Sequence, residues 1–444
     1  MITFKIGGVH PHENKIAKDA AITPLAPPAK VAISMAQHLG APATPVVAKG
    51  DKVLVGQVIG EPSGFISGFV HSSVSGTVAA VEPRADIAGN MVPHVVIDVE
   101  GDEWDPAIDR SEDLVRKIAD TPEEILAKIK AAGIVGMGGA TFPTHVKLNP
   151  PPGKKAEFLI INGAECEPYV TADDRLMREK PDAIVIGAAI MAKALGGCKC
   201  MICIEENKPE AIDAIQKAST VYPDIEVLKL KKKYPQGGEK QLIDAVTGRQ
   251  VPSGALPIDT GCVVQNVATS YAVYEAIQKN KPLFERVMTV TGQCVTNPRN
   301  FRVRLGTPLS FVLEAAGGVP ETAAKFISGG PMMGKAVANM DATTQKGSSC
   351  LLLLTEEQTR RKPESNCIRC GKCTDACPMG LEPWLLNKLS RAGGQYDALE
   401  ENKIFDCIEC GCCLYTCPAN IPLLDMIRIN KAEVMKIIRS RANK

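Results

Sequence analysis

Near its C-terminal end the chain spells one cysteine pattern twice: Cys367-x2-Cys370-x2-Cys373-x3-Cys377-Pro378, then Cys407-x2-Cys410-x2-Cys413-x3-Cys417-Pro418. Paired four-cysteine runs at this spacing hold two [4Fe–4S] clusters, and the fourth cysteine of each run ligates the other run's cluster. One cluster is therefore assigned Cys367, Cys370, Cys373 and Cys417, and the other Cys407, Cys410, Cys413 and Cys377. The short spacers wrap the backbone round one face of each cube. Gly371 and Gly411 let it approach closely, and Pro378 and Pro418 turn it away. Zinc prefers pairs of paired ligands, and neither zinc nor a disulfide framework explains two matched runs. Two neighbouring clusters make a one-electron wire. The pattern implies a chain that moves electrons.

At 444 residues the length suits about three domains, each with its own core. A net charge of +1 with 23% charged residues offers no basic surface for nucleic acid. Met1 to Lys15 lack the apolar stretch of an export signal. The longest apolar run, Ala183 to Ala192, is about half a bilayer span and is followed by Lys193. Sixteen cysteines without an export signal point to a reducing interior, where thiols serve metals. These features predict a soluble, cytoplasmic chain, and a peripheral attachment to a membrane complex would leave no mark in them.

Organisation follows from the turn signals. Between Pro45 and Glu82, short β-type runs alternate with glycine turns at Gly50-Asp51 and Ser75-Gly76. This stretch resembles the flattened barrel of lipoyl carriers, but the tip reads Ser73-Val74-Ser75-Gly76 without the carrier lysine, so the module is structural. Thr121-Pro122-Glu123-Glu124 is a capping box that predicts a helix from Thr121 to Ala132. Beyond it, strands at Glu157–Asn162 and Met201–Glu205 alternate with helices at Ala183–Leu195 and Pro209–Ala218, which argues for an α/β domain. Val287–Val290, Arg302–Leu305, a helix at Leu309–Ala316 and Lys325–Ser328 form a small mixed module. The predicted fold is thus multidomain α/β plus β. Residues 1–118 form an N-terminal lipoyl-like (barrel-sandwich-like) β module and 119–285 an α/β domain. Residues 286–340 form the small mixed module and 341–364 a linker in which Cys350–Leu354 reads as a strand. The helical, ferredoxin-like two-cluster domain spans 365–444, with helices at Leu381–Arg391 and Leu423–Lys436.

Four segments of the middle domain carry the candidate chemistry. The loop Gly133 to Ala140 holds four glycines, which lets phosphate or a flat ring lie against backbone N–H groups. Asn162-Gly163-Ala164-Glu165-Cys166-Glu167-Pro168 sits at the C-terminal end of a strand, the edge where open α/β sheets gather ligands. Gln236-Gly237-Gly238-Glu239-Lys240 and Gln265-Asn266-Val267-Ala268-Thr269 are the third and fourth. Singly each is bland; beside two clusters they form a set.

That set resembles a known family. Gly136-Met137-Gly138-Gly139-Ala140-Thr141-Phe142-Pro143-Thr144 is similar to the flavin and NADH loop of the NADH-binding flavoprotein subunit of respiratory complex I. Glu165-Cys166-Glu167-Pro168 resembles its Glu-x-Glu-Pro motif, and Gly238-Glu239 and Gln265 to Thr269 match two further flavin-site segments in the same order. Over its whole length, including Phe4 to Pro11, Gln37 to Ala43, the His71-to-Gly76 hairpin and the cysteine pair, the sequence resembles the RnfC family. Its members are subunits of the Rnf ion-translocating electron-transport complexes. Val287 to Lys335 resembles the ubiquitin-like β-grasp (SLBB) segment of both families.

The resemblance implies FMN in the middle domain, NAD(H) stacked on it, and two [4Fe–4S] clusters exchanging electrons with other Rnf subunits. Those partners are the membrane subunits and an iron–sulfur subunit, with ferredoxin reached indirectly, at the cytoplasmic face of the membrane. It implies backbone contact from Gly136, Gly138 and Gly139, and FMN held by Asn162, Glu165, Asn266 and Thr269, with Gly238 and Gln265 in the same site. Glu167 and Glu239 would orient NAD(H), Lys147 would meet a cofactor phosphate, and Glu165 and Glu167 would be the catalytic carboxylates. Two positions depart from the complex I pattern: Ala164 replaces an aspartate and Met137 an arginine. The alternatives are a soluble relative of the cobalamin reductases of bacterial microcompartments and a scaffold that kept only the clusters.

Other polar features read as structure. Cys198, Cys200 and Cys203 are expected to be small packing residues, and Cys412 breaks the spacing as a spectator. Cys166 is expected to pack, and Lys231-Lys232-Lys233 to be a solvated face.

Overall fold

Period-two alternation of apolar residues builds the first module. In the computed structural model, which describes residues 1–442, strands Lys30–Ser34, Met91–Val99, Gly76–Ala85 and Lys52–Val53 form an antiparallel sheet in that order. It packs on a second sheet of Thr44–Pro45, Val58–Glu61 and Val70–His71, with Val31, Ile33, Met35, Ile59, Val78 and Ile97 buried between them. The Ser73 tip is buried. Its hydroxyl donates to Leu305 O (2.5 Å), and its carbonyl accepts from Arg304 (2.7 Å), so the hairpin end is locked onto the β-grasp module.

The middle domain is a four-stranded parallel sheet in the order Ile225–Leu230, Lys199–Glu205, Phe158–Gly163, Cys262–Asn266. Helices Pro181–Ala194 and Val267–Gln278 cover one face, and Glu239–Thr247 packs on the other. At Gly187 the first two helices touch so closely that a side chain would run into the Ser270 carbonyl. Cys200 and Cys203 are three residues apart on one strand and enter opposite cores, so the three nearby cysteines share no centre.

The β-grasp sheet has six strands, in the order Ile22–Pro24, Arg299–Arg304, Glu285–Thr291, Cys350–Thr355, Ala323–Ser328, Lys335–Ala336. Two members come from outside the expected 286–340 span. Ile22–Pro24 pairs parallel to Arg299–Arg304, and Cys350–Thr355, drawn from the expected linker 341–364, is an inner strand with Leu351, Leu352 and Leu353 fully buried. A continuous apolar run needs two covered faces, which an inner strand has and a linker lacks. Lys346, just before it, is buried and donates to Phe69 O (2.8 Å) and Gly133 O (2.7 Å). One ammonium group thereby joins the barrel, the glycine loop and the chain leading to the β-grasp strand.

The C-terminal domain repeats a short helix that carries the third cysteine of each triplet, Lys372–Asp375 and Cys412–Thr416. Helices Pro383–Ala392 and Leu423–Ala442 close over them around Leu386, Leu399, Ile404, Ile427 and Val434. Among the described residues, no helix is long and apolar enough to cross a membrane.

Candidate functional site

The glycine loop starts where the capped helix Pro122–Ala131 ends. Thr121 Oγ1 accepts from Glu124 N and the Glu124 carboxylate accepts from Thr121 N, the reciprocal cap that the sequence predicts. The loop folds back through Gly136 N to Phe142 O (2.8 Å). It is fastened from beneath: Met137 N donates to Thr269 Oγ1 (2.9 Å), and Met137 O accepts from Arg286 (3.0 Å). The Met137 side chain is buried in the core, so the departure at this position points away from the open side of the loop. Gly138, Gly139 and Ala140 are exposed. Gly139, at φ +123°, has nothing within 4 Å of the place a Cβ would occupy. The loop therefore presents bare backbone to an open side, the property a flat ring or a phosphate requires.

Facing it are the C-terminal ends of two adjacent parallel strands, where Asn162 and Asn266 lie opposite each other. Asn162 donates to Gly237 O (2.9 Å) and accepts from Ala164 N (3.1 Å). Asn266 caps helix Val267–Gln278 through Ala268 N (2.8 Å) and donates to Asp173 (2.7 Å). Gln265 is buried with its side-chain nitrogen unpartnered, and Thr269 is wholly buried beneath the loop. Lys147 bridges Glu239 (2.5 Å) and Val264 O (2.8 Å) at a part-exposed edge, next to Gly238.

The acidic loop is held by groups that give no local signal in the sequence. Glu165, at φ +46°, accepts from Asp173 N (2.7 Å) and Asp174 N (3.2 Å) at the start of helix Ala172–Glu179. Lys15 reaches in from the N-terminal segment. It lies 3.9 Å from the Glu165 carboxylate and donates to the carbonyls of Glu165 (2.8 Å), Glu167 (3.0 Å) and Val170 (2.6 Å). Burial pushes the Glu165 carboxyl up to about 8 against the pull of Lys15. Ala164 is fully buried, and its carbonyl accepts from Lys208 (2.6 Å). Cys166 accepts from Gly237 N (3.4 Å), and burial raises its thiol to about 12. Glu167 turns the other way: its oxygens accept from Met332 N (3.1 Å) and Met333 N (2.7 Å) in the β-grasp module.

The cysteines divide into two unlike groups. Cys377, Cys407, Cys410 and Cys413 line one cavity, walled by Leu381, Leu386, Leu424 and Ile427. This is one triplet plus the fourth cysteine of the other run. Burial raises the Cys407 thiol to about 11 and pushes Cys413 the same way. Iron, which takes cysteine as thiolate, would fit these sulfurs. Cys367 and Cys370 are exposed, while Cys373 and Cys417 pack together beside Cys413 and Leu423. Among the described residues no three candidate ligands converge on a single ion, and a four-iron cube spreads its thiolates more widely than one ion does.

Four family models match successive parts of the chain. The RnfC Barrel sandwich hybrid domain matches residues 2–102 and the Nuo51 FMN-binding domain 129–275. The SLBB domain matches 287–336 and the 4Fe-4S dicluster domain 360–418. The corresponding subunit of the Na(+)-translocating ferredoxin:NAD(+) oxidoreductase complex of Acetobacterium woodii is 46% identical over 98% of this chain and 97% of its own. Its counterpart in the proton-translocating complex of Clostridium ljungdahlii is 46% identical over 96% and 93%. The counterpart in the ion-translocating oxidoreductase complex of Rhodobacter capsulatus is 42% identical over 96% and 82%. The chain belongs to the RnfC family.

As an RnfC chain it carries an FMN-binding domain and a 4Fe–4S dicluster domain. The FMN-binding match contains the glycine loop, the acidic loop, Glu239 and Asn266, and the dicluster match contains all eight motif cysteines. The predicted site residues thus collect at one sheet edge, with the cysteines beyond it. Sequence reasoning misses Lys15, Asp173, Lys208, Tyr234 and Arg286. Only Tyr234 has a local hint, its place just before the Gln236-Gly237-Gly238 turn.

Proposed function

We propose that this chain is the NAD(H)-oxidoreducing peripheral subunit of an ion-translocating ferredoxin:NAD+ oxidoreductase, passing electrons between NAD(H), FMN and two [4Fe–4S] clusters. The observation that carries the reading is the placement of the Cys377/Cys407/Cys410/Cys413 cavity. Tyr234 O–H donates to Cys410 O (2.9 Å), and Gln241 donates to Pro378 O (3.2 Å), so the cavity abuts the acidic-loop edge of the FMN-binding domain. Bound at the glycine loop, FMN supplies the conversion between a hydride's two electrons and one-electron steps.

The chain's own groups do the rest. Gly138 and Gly139 leave backbone open to the flavin, while the Gly136 N–H is spent on Phe142 O and Thr269 and Arg286 hold that backbone at a fixed height. Glu165, with Lys15 and the Asp173 and Asp174 amides, fixes the acidic loop, and Asn162 and Asn266 fix the two strand ends. In this geometry Glu165 and Glu167 position the site, because both carboxylates are occupied by backbone N–H groups. Lys147 and Glu239, the part-exposed pair, are assigned to the nucleotide. The quartet containing Cys377 would hold the cluster beside the FMN-binding domain, and Cys367, Cys370, Cys373 and Cys417 the one facing other subunits at the cytoplasmic face of the membrane, together supplying a one-electron path that could run in either direction.

The test is anaerobic mixing of cluster-replete, FMN-loaded protein with NADH. Bleaching of the flavin followed by the clusters is the expected outcome. Clusters that take electrons from dithionite but ignore NADH would remove this reading in favour of a scaffold. Glu165→Ala is expected to slow NADH-dependent dye reduction by at least about tenfold, and unchanged turnover would sink the site assignment.

A further inference from the structure

The acidic loop and the Cys410 loop are joined by one buried side chain. Tyr234 is 1% exposed, and its backbone pairs with Val9 in both directions (2.8 and 2.9 Å). Its phenolic proton goes to Cys410 O at 2.9 Å, and the same oxygen lies 3.4 Å from the Glu167 carboxylate. Glu167 accepts from two backbone N–H groups, Met332 N and Met333 N, as a carboxylate does, and the tyrosine's single proton is left to Cys410 O. Met332 closes the circuit: a side chain at Gly411 would lie 3.2 Å from Met332 O, so the glycine after Cys410 packs on the clamp that holds Glu167. A carboxylate and an oriented hydroxyl dipole thus sit against the backbone of a cluster ligand in a dry setting, where charges act strongly.

Hydrogen bonding, local charge and burial are what set cluster potentials. We infer that Tyr234 and Glu167 are positioning residues that tune the Cys377/Cys407/Cys410/Cys413 cluster in opposite senses. The O–H dipole aimed at Cys410 O turns its positive end toward the cysteine loop and favours an added electron. The Glu167 charge disfavours it. The pair therefore sets how readily this cluster exchanges electrons with the flavin side, without touching either cofactor. The inference rests on the ligand assignment made under the proposed function.

The experiment is an anaerobic redox titration of the full-length, FMN-loaded protein, followed by electron paramagnetic resonance so that the two clusters are read separately. Tyr234→Phe is expected to lower one midpoint and Glu167→Gln to raise the same one. Each shift should be a threefold to tenfold change in the oxidised-to-reduced ratio, ~30 to ~60 mV for one electron. Glu167→Asp, which keeps the charge, should stay near the wild-type value. The midpoint of the other cluster should hold in all three. Unmoved midpoints, shifts in the same direction, or equal shifts of both clusters would overturn the inference. If Tyr234→Phe loses a cluster, the Gln and Asp variants at 167 decide the question by the same criterion. Cys410→Ser distinguishes the two levels: retention of both signals there would fail the ligand assignment, whatever the tyrosine variant does.

Discussion

The two cysteine quartets are copies in sequence and opposites in setting. Cys377, Cys410 and Cys413 are buried, and with Cys407 they enclose a cavity under leucine and isoleucine side chains against the FMN-binding domain. Cys367 and Cys370 are exposed on a segment from Arg361 to Lys372 that is open to solvent throughout. The motif sets how each cube is held, and the surroundings set which way it faces. Burial and exposure both move cluster potentials, so duplicated ligands need not give duplicated electron affinity. On the proposed reading the inner site would meet the flavin and the outer one another protein.

Removing a ligand from either side gives the largest effect and the sharpest break. Cys410→Ser should cost about half the bound iron and leave an NADH-bleachable flavin whose electrons go no further. Cys370→Ser should also cost about half, but NADH should still reduce the flavin and the remaining cluster, with transfer to an external acceptor lost. Iron analysis and spin quantitation check both. If Cys370→Ser instead stopped reduction of the remaining cluster, the inner and outer order would be reversed.

A smaller effect is expected from the N-terminal glycines. Gly7, at φ +65°, lies so close to Cys377 that a side chain would collide with the cysteine's carbonyl, and Gly8 N donates to Ala376 O (3.0 Å). Gly7→Ala carries both a backbone penalty and a steric one, about 3 kcal/mol together. It should loosen the inner cluster selectively. Thermal loss of iron, followed alongside the two resonance signals, should show the inner signal failing first. Simultaneous failure would mean that the N-terminal segment braces the whole domain.

The contrast between quartets also shows what a sequence can reveal. The paired cysteine runs are readable because ligand spacing is local chemistry, and the Thr121 to Glu124 cap is readable for the same reason. Helix Ala172–Glu179 is not, since Ala-Asp-Asp-Arg looks like solvated loop until Leu176 and Met177 are seen buried. Strands Ile225–Leu230 and Cys262–Asn266 escape because each is short and runs into a neighbouring signal, the lysine run in one case and a helix cap in the other. The Cys350–Thr355 strand is visible, but its partners lie far off in sequence on one side and nearer on the other, and no local pattern names them. Lys15 belongs to the site through tertiary contacts alone, and Tyr234 has only its place before the Gln236-Gly237-Gly238 turn to mark it. The motifs of the site are legible; the residues that hold those motifs in place are not.

The smallest effect on the clusters should come from the far side of the FMN-binding domain, where Lys346 joins barrel and glycine loop. It has no carboxylate partner among its hydrogen bonds, and burial lowers its amine to about 7. The unfolded chain keeps that lysine protonated up to its ordinary value of about 10.4. Between those limits the unfolded state binds more protons, so stability rises with pH and is lost as pH falls toward 7. The neutral amine still has protons for Phe69 O and Gly133 O, so the junction survives deprotonation. Denaturant midpoints between pH 7 and 9 should therefore climb, by about 2 kcal/mol of stability, and Lys346→Met should flatten that slope while leaving both cluster signals unchanged. A slope that persists in the methionine variant would assign it to another buried group. A change in the inner cluster's signal would show that the two junctions of the FMN-binding domain are coupled, and that the inner quartet is tuned from the barrel as well as from Tyr234.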